Sequence, residues 1–234
     1  MPVLKNLKVS IDMASTNHQG SSGYLMILVF LVVALSTTTY IRNLTWLNDI
    51  ALWQDVITKN PQNIRAHGNL ARLYSSSGEF GLALVHLNTV LALDPREAGA
   101  FCNRGNIHYR LGQLPEALDD LNKAIMLQPG LARAYLGRGN VYSAQGEYDH
   151  ALVDFTIAIS LDPSLSEAFL NRGNMHYHNK RYNEAIHDYT QTIFVNPAYK
   201  EAYSYRGDAY AREGLMEKAD EDYRKAAEFD IPLR

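Results

Sequence analysis

Four arginines and four aspartates recur at a fixed interval of 34 residues: Arg104, Arg138, Arg172 and Arg206, and Asp120, Asp154, Asp188 and Asp222. A guanidinium fork meets a carboxylate through two parallel N–H···O bonds. The pattern therefore predicts either four internal ion pairs or four arginines displayed to an anionic ligand. One interval earlier both partners are missing together, with Leu70 and His86 in their places, which favours pairing. Asparagines recur on the same interval, as Asn69, Asn103 and Asn171 and again as Asn106, Asn140 and Asn174. Asparagine is a poor helix-interior residue because it competes for backbone hydrogen bonds. A carboxamide can, however, donate to a carbonyl and accept from an N–H of an extended chain. These residues are candidate peptide-binding groups.

Enzyme signatures are missing: the sequence holds no phosphate-binding glycine loop, no HExxH and no CxxC. His176 and His178 are two apart, so on a helix they point to different sides and share no metal. No cofactor, metal site or catalytic residue is expected. Net charge is −3, so no general basic field for nucleic acid exists. The single Cys102 forms no intramolecular disulfide. Asn43-Leu44-Thr45 is a formal glycosylation acceptor.

The elements that carry these residues follow from the prolines. Pro61, Pro95, Pro129, Pro163 and Pro197 lie 34 apart, a period that marks a helix–turn–helix array. With the proline at position 32, five units run 64–97, 98–131, 132–165, 166–199 and 200–233. Position 20 is always Ala (Ala83, Ala117, Ala151, Ala185, Ala219). Position 8 is always small (Ala71, Gly105, Gly139, Gly173, Gly207), which lets two helices approach. Position 4 is aromatic or His, position 11 is Tyr or His, and position 24 is Leu87, Leu121, Phe155, Tyr189 or Tyr223. These large side chains fill the space the small ones leave. Position 15 is Gly78, Gly112, Gly146 or Gly214, with Lys180 the exception, and suits a left-handed helix end. Proline at 32 stops the second helix.

This pattern resembles the tetratricopeptide repeat, in register over 170 residues. The resemblance implies an all-α helix–turn–helix solenoid, a right-handed superhelix whose first helices line a concave groove. That groove implies a non-catalytic scaffold that binds an extended segment of another protein. The groove residues would be Asn69, Arg72, Asn103, Asn106, Tyr109, Arg110, Arg133, Asn140, Asn171, Asn174, Tyr177 and Asp208. The asparagines are similar to those that hold peptide backbone in the repeats of O-GlcNAc transferase. Arg65, Arg72, Arg110 and Arg133 make the groove basic toward the N-terminus. Glu167, Glu201 and Asp208, relieved by Arg212 and His178, make it acidic toward the C-terminus. A solvated face without partner preference is the alternative.

Before the array, residues 1–23 form a polar tail. From Gln19 to Ile41 there is no charged residue, and Tyr24–Leu35 is almost wholly apolar. Residues 24–41 are expected as one transmembrane helix, because eighteen helical residues reach about 27 Å. A cleavable signal sequence and a buried helix are the alternatives. Lys5 and Lys8 on one side against Arg42 and Lys59 on the other leave orientation tied. Residues 42–63 carry a capping half-repeat helix, with Trp46, Ile50, Trp53 and Ile57 on one face. Residues 24–75 also resemble the junction of polytopic membrane proteins that join a glycosyltransferase-like domain to such repeats, the transmembrane O-mannosyltransferases among them. That resemblance implies an extracytoplasmic array, periplasmic or lumenal, and an alternative role as the accessory or C-terminal part of a membrane glycosyltransferase system. The multi-span catalytic part is not present in this sequence. At the other end Tyr210, Met216, Tyr223 and Phe229 are expected to be exposed and to support self-association.

Overall fold

The computed structural model describes Phe30 and residues 49–230. The chain divides after Pro61 into two compact units. In the first, α1 spans Asp49–Lys59, with Asp49 in its first turn and Lys59 in its last, the arrangement that complements the helix dipole. The expected membrane segment, residues 24–41, lies outside the described residues apart from Phe30. No helix among the described residues is long and apolar enough to cross a membrane.

The second unit is a run of ten helices: α2 (Ile64–Ser76), α3 (Phe80–Leu93), α4 (Ala98–Arg110), α5 (Leu114–Leu127), α6 (Ala132–Gln145), α7 (Tyr148–Leu161), α8 (Ser166–His178), α9 (Tyr182–Val195), α10 (Lys200–Arg212) and α11 (Met216–Glu228). Among the described residues there is no strand. The helices pair as α2/α3, α4/α5, α6/α7, α8/α9 and α10/α11, and each pair packs on the next.

Small residues permit this packing. A Cβ added to Gly139 would stand 2.6 Å from the Phe155 ring, and one added to Gly207 would stand 2.7 Å from Tyr223. The invariant Ala83, Ala117, Ala151, Ala185 and Ala219 are all buried. A second alanine row, Ala66, Ala100, Ala134, Ala168 and Ala202, is buried one helical step before the position-4 aromatics. Three hydrophobic clusters follow along the stack, centred on Leu121, Phe155 and Tyr189.

The turn inside each pair repeats one hydrogen bond. The N–H after the left-handed residue donates back to the position-11 carbonyl, as in Glu147 to Tyr142 and Arg181 to His176, both 2.9 Å. Gly78, Gly112, Gly146 and Gly214 take positive φ there, the Schellman arrangement. Lys180 adopts it too, at φ 58°, although its Cβ disfavours that region. Between pairs, Asp94, Asp162 and Asn196 accept from the N–H two residues on, closing Asx turns before the next helix.

Candidate peptide-binding groove

The arginines of the 34-residue ladder are structural. Arg138 Nε and Nη2 donate to the two oxygens of Asp154, both at 2.8 Å. Arg104–Asp120, Arg172–Asp188 and Arg206–Asp222 repeat this fork at 2.7–2.8 Å. All four aspartates are buried. The third guanidinium nitrogen reaches the second helix of the preceding pair. Arg104 and Arg138 donate to Asn88 (2.6 Å) and Asn122 (2.8 Å), and Arg172 and Arg206 to Thr156 (3.3 Å) and Thr190 (3.1 Å). Each arginine thus ties its own two helices together and staples them to the preceding pair. No arginine of the ladder is left for an anionic ligand.

The first pair is built differently. His67 and His86 meet Nδ1 to Nδ1 at 2.9 Å, and His86 stacks on Tyr74. One ring must donate and the other accept, so both cannot be protonated on those nitrogens. Burial and the neighbouring His67 hold the His86 pKa below its ordinary value. In the fourth pair His176 occupies the same position as Tyr74, and burial lowers its pKa as well. Its Nδ1 is buried and has no hydrogen-bond partner among the described residues.

The first helices of the later pairs carry three clefts. The first, of about 560 Å³, is lined by Asn106, Tyr109, Arg110, Arg133, Asn140 and Glu167 among others. The second, of about 250 Å³, shares Tyr109, Asn140 and Glu167 with the first, and adds Asn171, Asn174 and Met175. The third, of about 390 Å³, shares Asn174 and Met175 with the second and holds Tyr177, His178, Tyr205 and Asp208. Shared walls make the three one trough from α4 to α10.

Of the twelve groove residues expected from the sequence, nine line this trough: Asn106, Tyr109, Arg110, Arg133, Asn140, Asn171, Asn174, Tyr177 and Asp208. Asn69, Arg72 and Asn103 do not. Asn69 turns its amide back to the Arg65 carbonyl at 2.9 Å, and Arg72 and Asn103 are exposed outside the clefts. The sequence reading did not single out Leu136, Met175, Tyr189 or Tyr205 as lining residues. Tyr205 stands at position 6, where it and Gly137 break the asparagine row, and the register alone could have placed it in the trough.

The carboxamides bond both between and within units. Asn171 Nδ2 donates to Asn140 Oδ1 at 2.7 Å, and the Tyr189 hydroxyl donates to Asn174 Oδ1 at 2.9 Å. Asn106 occupies space that a side chain at position 137 would fill, with its amide directed weakly at Cys102 Sγ. Among the described residues Arg110 and Arg133 join no salt bridge. Arg110 stacks over Phe80 instead, 4.7 Å from the ring centroid. Glu167 offsets part of their charge in the same cleft. Asp208 accepts from the Tyr223 hydroxyl at 2.8 Å. The trough is therefore cationic near α4–α6 and anionic near α10. Among the described residues no group of three His, Cys, Asp or Glu could hold a metal ion.

Of the C-terminal cluster, Met216, Tyr223 and Phe229 are exposed as expected. Tyr210 is half-buried, because Arg206 and Lys218 both sit over its ring.

Comparison with known proteins agrees with this architecture. Tetratricopeptide repeat models match residues 132–165, 166–199 and 200–230, and a TPR repeat model matches 71–112 and 105–146. These matches begin at residue 71, so the glycosyltransferase-like junction expected over residues 24–75 finds no support in them. No curated protein matches the chain. Among solved structures, the chain is similar to YrrB, described as a TPR protein with an unusual peptide-binding site. Identity is 25%, over 76% of this chain and 91% of that one, with a TM-score of 0.56. A crystal structure of MamA matches at 25% identity over 69% of this chain and 94% of the other, with a TM-score of 0.60. PilF of Pseudomonas aeruginosa shares the fold at 21% identity, 73% and 78% coverage and a TM-score of 0.67. With repeat models matched across residues 71–230 and five paired-helix units in register, the chain belongs to the tetratricopeptide repeat family.

Proposed function

We propose that the array is a non-catalytic scaffold that binds an extended segment of another protein along the trough. One observation carries this reading: the pattern of carboxamide atoms left open. Asn140 Oδ1 and Asn174 Oδ1 are engaged, which leaves their amides as donors. Asn171 commits one of its two amide N–H groups, and its carbonyl stays open as an acceptor. Asn106 likewise keeps its carbonyl open. Open donors and acceptors thus both line the trough from α4 to α8. An extended backbone presents N–H and C=O groups in alternation, and each carboxamide can meet one of them. The peptide-binding description of YrrB supports the same class of ligand.

The test is selection of unstructured peptides on the full chain, followed by Asn140→Ala/Asn171→Ala. Affinity is expected to fall at least about tenfold with the melting curve unchanged, one or two hydrogen bonds being worth that much. Selected peptides that bind the variant equally well would overturn the groove reading.

Two further elements are proposed on sequence grounds. Residues 24–41 anchor the array to a membrane, and the full chain is expected to resist alkaline carbonate extraction. The exposed Met216, Tyr223 and Phe229 support self-association, which sedimentation of the full chain against Tyr223→Lys would test.

A further inference from the structure

The cleft at the C-terminal end of the trough differs from the others in its chemistry. It measures about 390 Å³, and the rings of Tyr177 and His178 from α8 and Tyr205 from α10 line it, with the buried Tyr189 from α9 behind them. Tyr189 and Tyr205 lie 5.9 Å apart, tilted by 51°, so their faces do not close on each other. One full charge lines the cleft, the carboxylate of Asp208. Its Oδ1 accepts from Tyr223, which fixes the group. Its Oδ2 has no partner among the described residues. Two phenol oxygens are engaged: Tyr189 donates to Asn174, and the Tyr177 oxygen accepts from Arg212 Nε at 3.3 Å. What remains for a ligand side chain is aromatic face and one carboxylate oxygen, while the Asn174 amide on the same wall is left for the segment's backbone.

That set recognises one chemical class. Ring faces carry negative electrostatic potential and attract a cation within about 6 Å of the centroid. The carboxylate adds a charge-assisted hydrogen bond. We propose that this cleft is a subsite for a cationic side chain, lysine or arginine, of the bound segment. The cleft's own rim supplies a precedent. Arg212 rests against Tyr177, and the tyrosines together with Asp208 strengthen its hold on its proton. The other end of the trough presents Arg110 and Arg133 against the single Glu167, whereas here Asp208 offsets Arg212, so a basic residue of the segment meets more like charge there than here. The subsite therefore also fixes which part of the segment lies on α8–α10. The proposal rests on the groove reading only in that a bound segment delivers the cation.

A probe without a peptide tests the subsite separately from the groove. The probe is Nα-acetyl-arginine methylamide, titrated into the full chain with tyrosine ring resonances observed by NMR. Its neutral isostere, the citrulline derivative, is the control. The arginine probe is expected to shift Tyr177 and Tyr205 saturably, and to bind about tenfold more tightly than citrulline. Asp208→Asn keeps an acceptor for the Tyr223 hydroxyl, so the fold stands while the charge is lost. It is expected to erase the preference. Equal binding of both probes, no shift with either, or a preference that survives Asp208→Asn would each overturn the subsite. The peptide selection above would be unaffected by any of these results, so the two readings fail separately.

Discussion

Removing Arg138 should cost far more than a surface ion pair is worth, and the structure says by how much. Asp154 is 2% exposed, and both of its oxygens are satisfied by Arg138. Arg138→Ala leaves that carboxylate buried and unpaired, a loss of about 3–5 kcal/mol. Asp154→Ala is gentler. The Arg138 side chain is 20% exposed and can turn its guanidinium to water, so the loss is limited to about 2–3 kcal/mol of hydrogen bonding to a charge. In the double variant neither charge is stranded, and the total should resemble the larger single loss. The coupling energy is then about 2–3 kcal/mol. The assay is urea unfolding of the full chain and three variants, followed by circular dichroism. Because stability in such arrays is a sum of unit and interface terms, the data are fitted with a one-dimensional repeat model. The third nitrogen gives a separate reading. Asn122→Ala removes its acceptor on the preceding pair, so the loss should fall on the interface term between units two and three. A burial-dependent pair is also poorly screened, so coupling should persist in 1 M salt, where the Debye length is about 3 Å. A coupling energy below about 1 kcal/mol, the value of an exposed pair, would refute internal stapling.

Three other outcomes follow from single residues. Lys180→Gly relieves a side chain held at φ 58° and should stabilise by about 1 kcal/mol, raising Tm by about 2–4 °C; an unchanged Tm would show that the turn is unstrained. Gly139→Ala drives a methyl to 2.6 Å from the buried Phe155 ring and should destabilise by about 1–3 kcal/mol, whereas Gly68→Ala meets nothing within 4 Å and should stabilise by about 0.5–1; equal effects in thermal melts would sink the close-approach argument. His86 and His176 both have lowered folded pKa values, so the folded state binds fewer protons than the unfolded chain. Stability should be full above about pH 6.5, the unfolded value, and decline as pH falls below it toward the folded values. His86→Asn should flatten part of that decline, as read by Tm between pH 7.5 and 5.5, and an unaltered slope would remove His86 from the cause.

The fold was legible because the repeat states each constraint five times. A glycine at position 8 means little alone. Opposite Leu121, Phe155, Tyr189 and Tyr223 it marks a helix crossing, and the 2.6–2.8 Å at which an added Cβ would meet those side chains supplies the physical reason. The ion-pair ladder was legible for a similar reason, since partners joined within one unit appear and vanish together. What the sequence did not show was the third arm of each arginine. Its acceptor is Asn in two cases and Thr in two, so no single residue type marks the position. Asn69, Arg72 and Asn103 line none of the three clefts, although Asn103 shares α4 with Asn106, Tyr109 and Arg110, which do. The residues 24–41 that carry the membrane expectation fall outside the described residues, apart from Phe30.

The asparagine ladder shows how variation at one position decides the use of another. Position 24 meets position 9 in the last two pairs. Where position 24 is tyrosine, its hydroxyl occupies an oxygen of the position-9 residue, as Tyr189 does with Asn174 and Tyr223 with Asp208. Where it is Leu121 or Phe155 there is no hydroxyl, and Asn106 and Asn140 turn to the next unit instead. The same substitution fills the core in both cases, since all of these side chains back onto the small residue at position 8. A choice made for packing on the inner side thus sets hydrogen-bonding capacity on the trough side. It leaves carboxamides to answer a backbone near α4–α6, and a fixed carboxylate among aromatic rings near α10. The two ends of one trough thereby differ in the ligand group they suit, although they are built from copies of one repeat.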